Sequence, residues 1–353
     1  MKESPYITWA KTHHDLRYSL AGSGVRPCPR ELLEPPLEPF PLSGPNEEGW
    51  LPLLERIAAR YRLGPENVVL AHGASMANHL VCAQIIEHGD DVLVERPVYE
   101  PLYLLPRFYR ANVAFFERRV ADSFALDIDE IRRRLTPRTT LLVCSNLHNP
   151  TGVLTERATL EKLGELADHE DFHVLVDEVY LEWMLDQGET SAAALGPRFI
   201  VTSSLTKAYG LDDLRAGWIV AEPRIVEKLR RLNDLFSIKM VHLAERWAAQ
   251  ALDCAPALLE ALRPVLEANR ELVDSFIGAH PALEWLPPPG GTVGWVRLRG
   301  LEVEELNTRL LPLETAVAPG RFFGAPEFFR IGLGQATELL DEGLERLARG
   351  LAS

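Results

Sequence analysis

Residues 172–207 read FHVLVDEVYLEWMLDQGETSAAALGPRFIVTSSLTK. Two apolar, β-branched runs, Val174–Asp177 and Phe199–Ser203, predict buried strands, and each opens into polar residues at its carboxyl end: Asp177-Glu178-Val179-Tyr180 after the first, Ser204-Leu205-Thr206-Lys207 after the second. Similar runs lie at Val68–Ala71, Val92–Glu95, Thr140–Cys144 and Trp218–Ala221. Amphipathic stretches separate them, such as Asp127–Leu135, where Asp127 can cap a helix and Ile128, Ile131 and Leu135 share one face. This alternation predicts an α/β fold, a mostly parallel sheet with helices on both faces.

From about Ile225 the pattern turns to long helices: Ile225, Leu229, Leu232 and Phe236 at helical spacing, then the leucine-rich run Ala255–Leu272. Turn residues at Pro287–Gly291, a short strand at Gly294–Leu298, a helix near Val303 and a last helix striped with Leu340, Leu344, Leu347 and Leu351 follow. The expected division is a large domain over residues 45–250, with residues 1–44 and 251–353 forming an N-terminal segment and a smaller α+β domain. The Pro-rich segment Arg26–Pro45 cannot form a regular helix and is expected to run extended over the surface between them.

The chain has 353 residues, 46% apolar and 25% charged, which fits a globular protein with a substantial core rather than a disordered or fibrous one. A formal net charge of -14 argues against nucleic acid as a partner, since phosphate contact needs surplus Lys and Arg. An anionic ligand therefore needs a local basic pocket. Cys28, Cys82, Cys144 and Cys254 are scattered, without CxxC spacing, and are expected reduced and buried. The opening residues lack a signal-peptide pattern and no stretch reaches a membrane span, so no membrane partner is expected and the cytoplasm is the expected location. No metal-ligating set stands out.

In an open α/β sheet ligands bind beyond the carboxyl ends of the strands, so the residues there carry the most information. The strand ending at Ala71 runs into His72-Gly73-Ala74-Ser75 and a helix, which leaves free N–H groups at a helix N-terminus, an anion site or an ordinary turn. Asp177 places a carboxylate at the edge of an apolar sheet, where it needs a cation. Lys207 emerges at the same edge, with Arg215 eight residues on; singly, each also fits a solvated charge. Asn149-Pro150-Thr151-Gly152 follows another strand as a turn. Arg330, inside Phe328-Phe329-Arg330-Ile331-Gly332, needs a carboxylate or phosphate, whether a ligand's or an internal partner's.

In this order the segments resemble the class I/II aminotransferases, fold-type I enzymes that use pyridoxal 5′-phosphate (PLP): GAS at 73, Pro97-Val98-Tyr99, NPTG at 149, DExY at 177, SxxTK at 204 and FRIG at 329, spanning about Gly49 to Gly334. The resemblance implies that Lys207 is the Schiff-base lysine that also moves a proton at the substrate Cα. It implies that Asp177 keeps the pyridine nitrogen protonated, that Asn149 and Tyr180 hydrogen-bond the ring 3′-oxygen, and that Tyr99 stacks on the ring. Gly73, Ala74 and Ser75, with Ser204 and Arg215, are the implied phosphate cup, and Arg330, with Asn149, the implied clamp for the substrate α-carboxylate. Ser23-Gly24 matches the family's N-terminal segment that covers the substrate. An amino acid and a 2-keto acid are the implied substrates, turned over in a ping-pong cycle, and a homodimer is the implied assembly.

Three departures stand beside these matches. Ser43-Gly44-Pro45-Asn46 lacks the tyrosine with which many relatives reach a neighbouring subunit's phosphate, and Asn146-Leu147-His148 replaces a second Asn-Pro, predicting a changed loop path into the same Asn149. No second arginine for a side-chain carboxylate is identified. The same cofactor residues also serve elimination, cyclisation, decarboxylation and oxidation on this scaffold, which is the alternative to transamination. A regulatory role would need a DNA-binding domain, and the roughly seventy residues before Gly73 leave no room for one.

Overall fold

The computed structural model describes residues 3–33, 40–185 and 187–352. Its larger sheet has seven strands: β1 (Val68–His72), β2 (Asp91–Arg96), β3 (Asn112–Glu117), β4 (Thr139–Ser145), β5 (His173–Asp177), β6 (Phe199–Ser204) and β7 (Ala216–Val220), in the order β1-β7-β6-β5-β4-β2-β3. β6, β5, β4, β2 and β3 are parallel, whereas β7 pairs antiparallel with both β6 and β1. The residue before reversed β7 therefore lies at the edge where the other strands end, which brings Arg215 to the same side as His72, Asp177 and Ser204. A second, antiparallel sheet contains β8 (Leu283–Trp285), β9 (Val293–Leu298), β10 (Ala318–Pro319) and β11 (Phe328–Gly332), in the order β10-β11-β9-β8.

The helices are α1 (Pro5–Thr12), α2 (Leu51–Arg60), α3 (Gly73–Ile85), α4 (Glu100–Phe108), α5 (Ile128–Arg134), α6 (Arg157–His169) and the short α7 (Glu182–Leu185), then α8 (Pro223–Asn233), α9 (His242–Asp253), α10 (Ala255–Ala279), α11 (Val303–Leu310) and α12 (Thr337–Ala352). Asp127 caps α5 as its type allows, accepting from the Asp129 and Glu130 amides at 2.9 and 3.1 Å. The alternation of strand side chains divides the core between the two faces of the sheet. Val68, Leu70 and Leu93 join a cluster that continues through α2, α10, α11 and α12, while Val69, Ala71, Val92 and Val94 pack on the other face with α3, α4 and α8. A third, aromatic cluster of Tyr6, Phe124, Trp295, Phe322, Phe323 and Phe328 joins α1 to the small sheet.

An N-terminal strap ties the small sheet to the Lys207 turn. Gly332 N donates to Leu20 O at 2.7 Å, Arg26 N to Gly334 O at 3.0 Å, and Val25 N to Lys207 O at 3.2 Å. Of the Pro-rich link expected over Arg26–Pro45, residues 34–39 lie outside the described residues; before them, Arg30–Leu32 make one 3₁₀ turn and Leu33 is buried. All four cysteines are free, but only Cys82 and Cys144 are buried; Cys28 and Cys254 are half-buried, because the strap and the α9–α10 junction lie near the surface. Among the described residues no helix is long and apolar enough to cross a membrane.

Candidate active site

The strand ends and β11 meet around one cavity of about 280 Å³ lined by Tyr99, Asn149, Asp177, Tyr180, Lys207, Arg330 and others named below. Lys207 borders it from the turn after β6. Its amine donates to Ser23 Oγ at 2.8 Å, and burial, aided by the nearby Arg330 cation, lowers its pKa to about 8. Asp177 ends β5, and burial raises its carboxyl above the ordinary range. Among the described residues no cation bonds it directly: Asn78 Nδ2 donates to Oδ2 at 2.9 Å and the Val179 amide to Oδ1 at 3.3 Å. The Asn78 amide is itself oriented, because Thr202 Oγ1 donates to Asn78 Oδ1 at 2.6 Å.

Opposite this end, α3 turns its N-terminus to the cavity, and its first-turn N–H groups have no intrahelical acceptor. Gly73 has φ +79°, and a Cβ there would lie 2.2 Å from Arg215 Nη2, so the guanidinium can cross the helix start only over a glycine. Gly217 has a matching role, since a Cβ on it would strike the Gly73 backbone at 2.5 Å. Ala74, Ser75, Ser204, Thr206 and Arg215 line this end, with Ser75 and Arg215 exposed. The donors suit a phosphate and the buried Asp177 suits a ring nitrogen, so the residues fit PLP.

Arg330, in the middle of β11, is buried to 1% exposure. Its Nη1 donates to Asn149 Oδ1 at 3.1 Å and its Nη2 to the Tyr6 hydroxyl at 2.7 Å, both neutral acceptors. Its Nε has no partner, and among the described residues no carboxylate pairs with it. A buried guanidinium without an anion calls for one from a ligand. Asn149 is fixed from behind through its backbone: its main-chain N–H donates to Ser145 Oγ at 3.0 Å, Ser145 Oγ donates to Glu95 Oε1 at 2.6 Å, and Arg118 Nη1 to Glu95 Oε2 at 3.0 Å. The departing loop before Asn149 is built round His148, whose Nε2 donates to Pro97 O at 2.9 Å while Thr151 Oγ1 donates to Nδ1 at 2.6 Å. At Ser43–Asn46, where the tyrosine is missing, Asn46 Nδ2 instead donates to Met240 O at 2.9 Å and Glu245 Oε2 at 2.7 Å.

Of the residues singled out from sequence, Ala74, Ser75, Tyr99, Asn149, Asp177, Tyr180, Ser204, Lys207, Arg215, Arg330 and Ser23 line the cavity. Gly73 lies beneath Arg215, and Gly24 packs on the Lys207 backbone, with its Cβ position 3.6 Å from Lys207 Cα. Sequence reasoning missed α1, which roofs the cavity with Tyr6, Ile7 and Ala10, and also Asn78 and Ser145. Asn78 stands three residues beyond Ser75, one helical turn on the same face, a spacing that could have found it. Tyr6 carries no such signal.

A lysine, an acid, a helix N-terminus with arginine and a second buried arginine around one cavity define an enzyme that holds PLP. The aminotransferase class I and II family model matches residues 45–347, and the chain belongs to that family. Capreomycidine synthase of Streptomyces vinaceus is 32% identical over 302 residues, 84% of this chain and 78% of that protein. Arginine–pyruvate transaminase of Pseudomonas aeruginosa is 31% identical over 310 residues, 84% and 79% of the two chains. A PLP-dependent aminotransferase from Streptococcus suis superposes with a TM-score of 0.92 at 26% identity, covering 100% of this chain and 98% of that one. The fold is accordingly that of fold-type I PLP-dependent transferases, and the chain is a PLP-dependent aminotransferase.

Proposed function

We propose that Lys207 carries the cofactor as a Schiff base while the enzyme moves an amino group from an amino acid to a 2-keto acid. When bound, PLP supplies a conjugated ring that accepts the electron pair of a bond broken at the substrate Cα. Asp177 holds the ring nitrogen protonated, Asn149 and Tyr180 hold the 3′-oxygen, and Tyr99 covers a ring face. The N-terminus of α3 (Gly73, Ala74, Ser75), with Ser204 and Arg215, holds the phosphate. Arg330, with Asn149, takes the substrate α-carboxylate, and the Lys207 amine moves the proton at Cα. The observation that carries this reading is the buried Arg330, with which no carboxylate among the described residues pairs, at the same cavity as Lys207 and Asp177.

The test is the visible spectrum of the PLP-loaded protein as amino acids are added singly without a keto acid. Stoichiometric conversion of the cofactor to its amine form supports transamination and names the donor. Product formed with the aldehyde form regenerated supports elimination, cyclisation, decarboxylation or oxidation instead. We further propose a cytoplasmic homodimer, with a large domain over residues 45–250 and the rest forming the N-terminal segment and small domain. The dimer is supported by an apolar surface run after α8, where Leu235 is 80%, Ile238 72% and Val241 59% exposed.

A further inference from the structure

The strap residue Ser23 meets the catalytic lysine. Ser23 Oγ accepts from Lys207 Nζ at 2.8 Å, and Ser23 lines the cavity beside Tyr180. Both ends of the strap here are fixed. Thr292 Oγ1 donates to Ser23 O at 2.8 Å, and the Val25 amide donates to Lys207 O at 3.2 Å. The hydroxyl is thus held by the small sheet on one side and by the Lys207 turn on the other.

We propose that Ser23 is a positioning residue that orients the Lys207 amine, rather than a substrate-binding one. This rests on Lys207 being the Schiff-base lysine. A neutral amine has one lone pair and two N–H bonds, and it takes a proton only where the lone pair points. By accepting one N–H, Ser23 restricts rotation about the terminal C–N bond of an otherwise flexible side chain whenever that amine is free.

The charged groups facing the amine are Arg330 on β11 and Arg215 before β7, which lower its pKa, and Asp212 and Asp177, which raise it. Ser23 adds an acceptor, and an acceptor stabilises the ammonium form more than the amine. Removing it therefore moves the Lys207 titration below its present midpoint.

Three variants and two readouts test the assignment. Ser23→Ala is expected to lower kcat about 10- to 100-fold, the scale of a misplaced reacting group, with KM for the amino acid held within roughly threefold. Ser23→Thr, which keeps the hydroxyl, is expected to restore most of kcat. In the cofactor-free protein, NMR of ¹³Cε-labelled lysine, assigned by the signal lost in Lys207→Ala, reads the Lys207 midpoint with the amine unmodified, and Ser23→Ala is expected to shift it down. Should Ser23→Ala fail to fold, Ser23→Cys, similar in shape but a poor acceptor, is expected to show the same loss and the same shift. Unchanged kcat, a defect confined to KM, or an unmoved Lys207 midpoint overturns the proposal while leaving the lysine reading intact. Retained turnover in Lys207→Ala instead overturns the lysine reading itself.

Discussion

At Asp177, two demands pull against each other: burial favours the neutral acid, while a ring nitrogen is held protonated only by a carboxylate. Asn78 tips this toward the carboxylate, because its N–H donates and its oxygen is already engaged by Thr202. A hydrogen bond to a charged group contributes about 1.5–3 kcal/mol, so Asn78→Ala is expected to weaken PLP binding about tenfold or more, measured by equilibrium dialysis; unchanged affinity would show that Asp177 needs no such support. Lys207 gives a prediction in pH. In the role proposed for Lys207, only its neutral amine would attack the PLP aldehyde, and burial lowers its pKa to about 8. Capture of PLP by the cofactor-free protein should therefore accelerate as pH rises and level off above about pH 8, whereas an ordinary lysine would keep gaining to about pH 10.4. Since the Arg330 charge lowers this pKa, Arg330→Met should move the plateau upward in stopped-flow absorbance. Asp177 and Lys207 were legible in the sequence because charge directly after an apolar strand is conspicuous. Asn78 and Ser145 were not, because an amide in a helix and a hydroxyl ending a strand look the same whether they face solvent or a cavity.

Among the elements, α1 departs furthest from what the sequence disclosed. Its eight residues have only Tyr6 fully buried, and Tyr6 reaches Arg330 across 324 positions of chain, a separation that periodicity cannot bridge. What seats α1 is Glu100 at the start of α4, whose Oε2 accepts from the Tyr6 amide at 2.8 Å and from the Ser4 hydroxyl. Replacing Glu100 with Ala removes both acceptors, leaving aromatic contacts such as Tyr6–Tyr99, 5.6 Å between centroids, to hold the helix. Hydrogen exchange of the α1 amides is expected to rise at least about tenfold in Glu100→Ala, with strand amides unchanged, as for a locally opened unit. The amino-acid KM should rise with it, since the cavity loses its roof. Equal protection in both proteins would mean that the aromatic cluster alone seats α1. The strands of the large sheet were mostly legible, their apolar runs being long enough to stand out, but β3 and, in the small sheet, the three-residue β8, the two-residue β10 and β11 were not. In β3 the residues alternate with exposed ones at an edge, and in β11 a buried Arg330 interrupts the apolar pattern. Nor does any periodicity reveal strand direction, so the reversal of β7 that delivers Arg215 became visible only in the fold.

On the scale of the whole molecule, the phosphate end of the cavity is open in a single chain. Ser75 and Arg215 are exposed, whereas Asp177 and Arg330 are buried. The apolar run after α8 lies beside that opening: Phe236 packs edge-on against His79 at 5.1 Å, and His79 is one turn along α3 from Ser75. A second copy seated on Leu235, Phe236 and Ile238 would bury apolar surface and exclude water from the phosphate end together. A stable dimer of this kind buries more than about 2,000 Å² in total, and two carboxylates placed in its apolar centre have no partner charge. Leu235→Glu with Ile238→Glu is therefore expected to sediment as a monomer at micromolar concentration and to bind PLP at least about tenfold more weakly, because charge-assisted phosphate contacts weaken in water. A variant that stays dimeric places the interface on another face. A monomer that keeps full PLP affinity shows instead that Gly73, Ser75, Ser204 and Arg215 of one chain hold the phosphate unaided, and that dimerisation serves another purpose than completing the cup.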